Sequence, residues 1–121
     1  MVAPITYIKF GDHPEDKRII YALQKCASKR PEVVRILVYG SRVRGEQRED
    51  SDLDVAIELI KSNKGDTPFA IWLHESTDWQ MELQSFVPWR LHLEWHDIDG
   101  KTQVVSDKIS KGSYLAYEKE T

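Results

Sequence analysis

The stretch GSRVRGEQREDSDLDVAIEL, running from Gly40 to Leu59, decides how this chain is read. Ahead of it, Val33 to Tyr39 is apolar and β-branched apart from Arg35 and halts at Gly40, the pattern of a buried strand. Beyond its charged middle the side chains alternate. Leu53, Val55, Ile57 and Leu59 point one way and Asp52, Asp54, Ala56 and Glu58 the other, as a second strand requires. Arg42 to Ser51 is polar and connects the two, with a short helical turn expected to start at Ser41.

The flanks extend this pattern. Asp12 or His13 can cap a helix with Pro14 in its first turn, Glu15 and Asp16 at the positive end of its dipole, and Ile19, Leu23, Cys26 and Ala27 on one face. Pro31 stops it. Ile5 to Phe10 reads as a short strand or ordered arm. Thr67-Pro68 opens a second long helix whose apolar face is read as Phe69, Trp72, Leu73, Ser76, Trp79 and Leu83. After Pro88 comes a strand with Leu91, Leu93 and Trp95 on one side and His92, Glu94 and His96 on the other. A short helix over Gln103 to Lys111 is closed by Gly112, and Ser113 to Tyr117 adds an edge strand. This order predicts an α/β (α+β) fold, a small mixed sheet with helices mainly on one face.

Composition sets bounds. A chain of 121 residues is expected to form one domain, 1–121, with one modest core. A net charge of -3 excludes a general nucleic-acid binder, which needs clustered basic surface. Cys26 is the only cysteine, so no internal disulfide forms and a cytoplasmic setting fits. The opening MVAPITYIKF lacks the features of a signal peptide, and no apolar run suits a membrane span. Homo-oligomerisation stays open, since a free sheet edge can pair with another subunit.

The chemistry lies in Asp52 and Asp54. At i and i+2 on a strand, their side chains emerge on one face roughly 6.5–7 Å apart along the backbone. Such a pair can share one divalent ion or bridge two, and magnesium suits it, because Mg²⁺ takes few protein carboxylates and leaves its other positions to water or phosphate. Gly40 permits close backbone approach, Ser41 adds a hydroxyl, and Arg42, Arg44 and Arg48 are near enough to bond phosphate oxygens, Arg44 best of all beside Gly45. Taken singly, each piece has a plainer account: a turn, a solvated strand end, surface ion pairs of little worth. Their joint occurrence between two strands carries the argument. His92, Glu94 and His96 have zinc-ligand residue types, but strand histidines are more often solvated or hydrogen-bonded.

Gly40-Ser41-Arg42-Val43-Arg44-Gly45, followed by Asp50-Ser51-Asp52-Leu53-Asp54, resembles the signature of the polymerase-beta-type nucleotidyltransferase superfamily. In size the chain resembles the minimal, antitoxin-like members from bacteria and archaea. The resemblance implies a nucleoside triphosphate such as ATP held at Gly40, Ser41, Arg44 and Ser51, with magnesium, two ions, on Asp52 and Asp54. It implies transfer of a nucleoside monophosphate, often AMP, to a hydroxyl, in several members a tyrosine of a small helical toxin. It also implies a third carboxylate after a proline-aromatic-basic stretch. Here that stretch, Pro88-Trp89-Arg90-Leu91-His92, puts a histidine at the expected place and Glu94 two residues further on the same face, so Glu94 is assigned to the metals and to catalysis with Asp52 and Asp54. The displacement keeps a second reading open, a weakly active or inactive binding module of the same fold that neutralises a partner protein.

Overall fold

The computed structural model describes residues 10–120. Eight elements follow one another: α1 (Pro14–Ser28), β1 (Val33–Tyr39), α2 (Ser41–Arg44), β2 (Leu53–Leu59), α3 (Pro68–Gln84), β3 (Leu91–Trp95), α4 (Gln103–Ser110) and β4 (Ser113–Glu118). The strands form one sheet in the order β3-β2-β1-β4. β1 runs antiparallel to β2 and to β4, whereas β2 and β3, joined through α3, are parallel. The mixed sheet and the helices beside it agree with the fold expected from the sequence. Of the expected N-terminal strand or arm, residues 5–9 lie outside the described residues, while Phe10 is buried edge-on against Tyr114.

Each element starts where local chemistry allows. His13 caps α1, its Nδ1 accepting from the Glu15 N–H at 3.1 Å, ahead of Pro14 and the acidic first turn. Thr67 caps α3 by accepting from the Ala70 N–H at 3.2 Å, again ahead of a proline. The main core lies on one side of the sheet. Ile36 and Val38, Leu53, Val55 and Ile57, and Leu91 and Leu93 pack there against Ile19, Leu23 and Cys26 of α1 and Ile71, Trp79 and Leu83 of α3. The other side is covered in part by α4, whose Val105 and Ile109 pack on Leu37, Tyr39 and Ala56. The rest of that second face carries the acidic residues of β2 and β3.

One helix is phased differently from its sequence reading. Phe69 and Leu73 of α3 are 54% and 61% exposed, and Ile71, Trp79 and Leu83 face the core instead. Phe69 to Leu73 is five consecutive apolar residues, so periodicity cannot select a face there; the sheet does so through Ile71.

The ends of α1 and α3 are tied together by Glu82. Its carboxylate accepts from Arg30 Nη2 at 2.5 Å and from the Cys26 thiol at 3.1 Å. Burial pushes the Cys26 thiol up to about 11, so it stays protonated at neutral pH and acts as a donor. The Arg30 hydrogen bond, then the Cys26 one, holds Glu82 below the ordinary carboxylate value of 4.5. A depressed carboxylate stabilises the fold fully above its unfolded pKa and ceases to as pH falls through its folded one. The stability difference between wild type and Glu82→Gln, from urea unfolding, is therefore expected at neutral pH and should shrink steadily below pH 4.5.

Candidate active site

β1 leaves the sheet at Gly40, with φ 84° and ψ -162°, a conformation open in practice to glycine alone. The chain enters the single turn of α2 at Ser41 and leaves it at Gly45, whose φ of 76° lets its N–H return to the Ser41 carbonyl. Close approach makes a second demand on Gly40. A Cβ placed there would lie 2.1 Å from Oδ2 of Asp54, the residue paired with Tyr39 across β1 and β2. The missing side chain thus lets the Asp54 carboxylate sit directly against the Gly40-Ser41 turn.

Arg42 organises the segment between α2 and β2. It is 8% exposed, and its Nε and Nη2 donate to the Ser51 carbonyl at 3.0 and 2.7 Å, with Nη2 also reaching the Glu49 carbonyl at 3.3 Å. Its guanidinium lies 3.5 Å from the centroid of the Trp89 ring. Burial draws the Arg42 pKa down, opposed by Asp16, Glu15 and Asp52. Ser51 accepts the Arg48 N–H on its hydroxyl at 2.7 Å, and the Leu53 N–H bonds the Arg90 carbonyl at 2.9 Å. Asp52 is fixed between these two anchored residues. Sequence spacing grouped Arg42 with the phosphate-facing arginines and did not reveal this anchoring role. The nearest signal is Trp89, an aromatic platform in the proline-aromatic stretch.

Asp54 and Glu94 do not touch; His92 lies between them. Its Nδ1 is 3.1 Å from Asp54 Oδ1 and its Nε2 2.8 Å from Glu94 Oε1. The imidazole thus bridges the two carboxylates, one at each ring nitrogen. The parallel register explains the order: Asp54 faces His92 while Glu94 faces Ala56, two pairs further along and so on the same face. Among the described residues no three His, Cys, Asp or Glu side chains are gathered to hold a metal ion. His96 turns away from this group, toward Glu58 and Ser106. Arg44 pairs with Glu46 at 3.2 Å on the surface. The buried Tyr39 phenol lies on the same face, its pKa raised first by burial and then by Asp54 and Glu94.

Residues 22–120 match the family described as polymerase beta, nucleotidyltransferase. The chain belongs to this nucleotidyltransferase family. Solved structures share its fold. A toxin-antitoxin crystallised with AMP-PNP is 19% identical, with a TM-score of 0.58 over 89% of this chain and 76% of its own. A mutant of the toxin-antitoxin MntA-HpeT is 18% identical, with a TM-score of 0.57 and the same coverage. A Sulfolobus solfataricus protein put forward as a nucleotidyltransferase is 19% identical, with a TM-score of 0.52 over 88% of this chain and 86% of its own. The comparison with curated proteins finds no match. In this nucleotidyltransferase fold, the Gly40-Ser41 turn, Asp52 and Asp54 gather at the end of β1 and start of β2, with Glu94 beyond them on β3.

Proposed function

We propose that this protein transfers a nucleoside monophosphate, AMP from ATP, to a hydroxyl group, in a magnesium-dependent reaction, and that a tyrosine of a small helical toxin is its acceptor. The observation that carries this reading is the Gly40-Asp54 approach. A backbone turn able to lie along a phosphate chain is pressed against a carboxylate able to bind its counter-ion, with room only for glycine between them. Family membership supplies the reaction class, and the AMP-PNP complex of a toxin-antitoxin neighbour supports both nucleotide and partner. The single free, buried thiol and the lack of any helix long and apolar enough to cross a membrane, among the described residues, accord with action in the cytoplasm.

The donors fit magnesium. Asp52 and Asp54 offer hard oxygens on one face, and Mg²⁺ is usually held by one or two carboxylates plus substrate phosphates. Bound there, it would neutralise charge on the phosphate oxygens and favour departure of pyrophosphate. The remaining work belongs to the chain. Gly40 and Ser41 seat the triphosphate, Arg44 leaves Glu46 to bond it, and Ser51 holds the entry to β2. Arg42 keeps Asp52 in place from behind. Glu94, as the third carboxylate, accepts the proton of the incoming hydroxyl once His92 releases it.

That His92 bridge favours one rival, a binding module of the same fold with little chemistry. Calorimetry and transfer assays separate the two. Wild type is expected to bind ATP only with magnesium and to label a co-expressed partner from α-phosphate-labelled ATP. Asp52→Asn should lower transfer by about 100-fold or more. Binding of the partner without heat from Mg-ATP and without transfer would establish the module instead.

A further inference from the structure

Beyond the nucleotide face, Ser106, His96 and Glu58 form a chain of hydrogen bonds that the proposed transfer does not use. Ser106 Oγ lies 2.9 Å from His96 Nε2, and His96 Nδ1 lies 2.9 Å from Glu58 Oε1. Glu58 is fully buried, and Arg35 grips it from the neighbouring strand through Nε and, at 2.7 Å, through Nη2. Arg35 is a donor only, so both Glu58 oxygens accept from it. A hydroxyl, an imidazole and a buried carboxylate thus stand in one line of hydrogen-bond contacts, with Nε2 facing the serine and Nδ1 facing the acid. A hydroxyl bonded to a base that is itself oriented by a buried acid is the arrangement of an activated nucleophile. Ser106 is partly exposed on α4.

We propose that Ser106 is itself a nucleotidyl acceptor, modified by a second copy of this chain. The proposal rests on the nucleotidyltransferase reading, which supplies the electrophile. Ser106 Oγ attacks the α-phosphorus of the nucleoside triphosphate held by the other copy. The new Oγ–P bond forms as the bond from the α-phosphorus to the bridging oxygen breaks, pyrophosphate leaves with that electron pair, and the serine proton passes to His96 Nε2. The product is a phosphodiester on Ser106, and the proton is then lost to solvent. An acceptor that brings its own base offsets the displacement of the third carboxylate, which His92 holds at Glu94. Transfer runs between copies because Glu58 is four residues along β2 from Asp54, roughly 13 Å away.

The test uses the full chain with magnesium and α-phosphate-labelled ATP, read by peptide mass spectrometry. One nucleoside monophosphate is expected on the peptide containing Ser106, none after Ser106→Ala, and retention after Ser106→Thr, which keeps a hydroxyl. His96→Gln should slow labelling by about 100-fold or more, the usual worth of a general base. A copy carrying Asp52→Asn and Asp54→Asn should still be labelled when mixed with active Ser106→Ala protein. If a partner protein is labelled while Ser106 stays unmodified, the inference fails and the nucleotidyltransferase reading survives. If Mg-ATP neither binds nor labels anything, both fall.

Discussion

Gly40→Ala is expected to abolish nucleotidyl transfer and to weaken the fold together. The new methyl group would stand 2.1 Å from Asp54 Oδ2 and 3.0 Å from its Cγ, so the carboxylate must swing away. Movement of Asp54 also breaks its contact with His92 and takes its carboxylate away from the turn. The backbone adds its own cost, because φ 84° with ψ -162° strains any residue bearing a Cβ by about 1–3 kcal/mol. Gly100→Ala is the matched control. Gly100 has φ 90° but nothing within 4 Å of its virtual Cβ, and it lies in the turn after β3. It should lose stability by strain alone and keep full transfer. Denaturant unfolding and a labelled-nucleotide assay on both variants check this; transfer by Gly40→Ala at the wild-type rate would remove the basis of the assigned site.

Arg35→Ala carries the largest expected loss of stability. Glu58 is wholly withdrawn from water and is neutralised by Arg35 across the β1–β2 pair, with His96 as its other partner. Removing one member of a buried ion pair typically costs about 3–5 kcal/mol, since the charge left behind has neither solvent nor partner. Arg35 is 40% exposed along its side chain, so water can reach the vacated space and the cost should fall at the low end of that range. Arg35→Met combined with Glu58→Leu should recover much of it, because replacing both charges removes the orphan. Urea denaturation of wild type and these two variants gives the comparison. A single variant as stable as wild type would show that the pair contributes little.

The sequence discloses these features unevenly, for physical reasons. The alternation of Leu53, Val55, Ile57 and Leu59 with Asp52, Asp54, Ala56 and Glu58 is legible because strand periodicity leaves no choice of face once one set is apolar. In α3 the run from Phe69 to Leu73 offers several equivalent faces, and only contact with the sheet chooses among them. Arg42 differs again. An arginine among charges reads as a surface or phosphate-facing group, and nothing local announces that its guanidinium will be buried over Trp89, 47 residues later in the chain. The links from His92 to Asp54 and from His96 to Glu58 depend on the parallel register of β3 beside β2, a long-range property that no motif encodes.

The bonds made by Arg42 have a bearing on how such proteins diversify. They end on main-chain carbonyls of Glu49 and Ser51, atoms that every amino acid possesses. The tether is therefore blind to the identity of the residues it holds. Glu46, Gln47, Glu49 and Asp50, all exposed, can be exchanged freely while Asp52 keeps its station. The rim can thereby be rewritten while the backbone that carries Asp52 stays fixed, which under the proposed function would let new acceptors be selected.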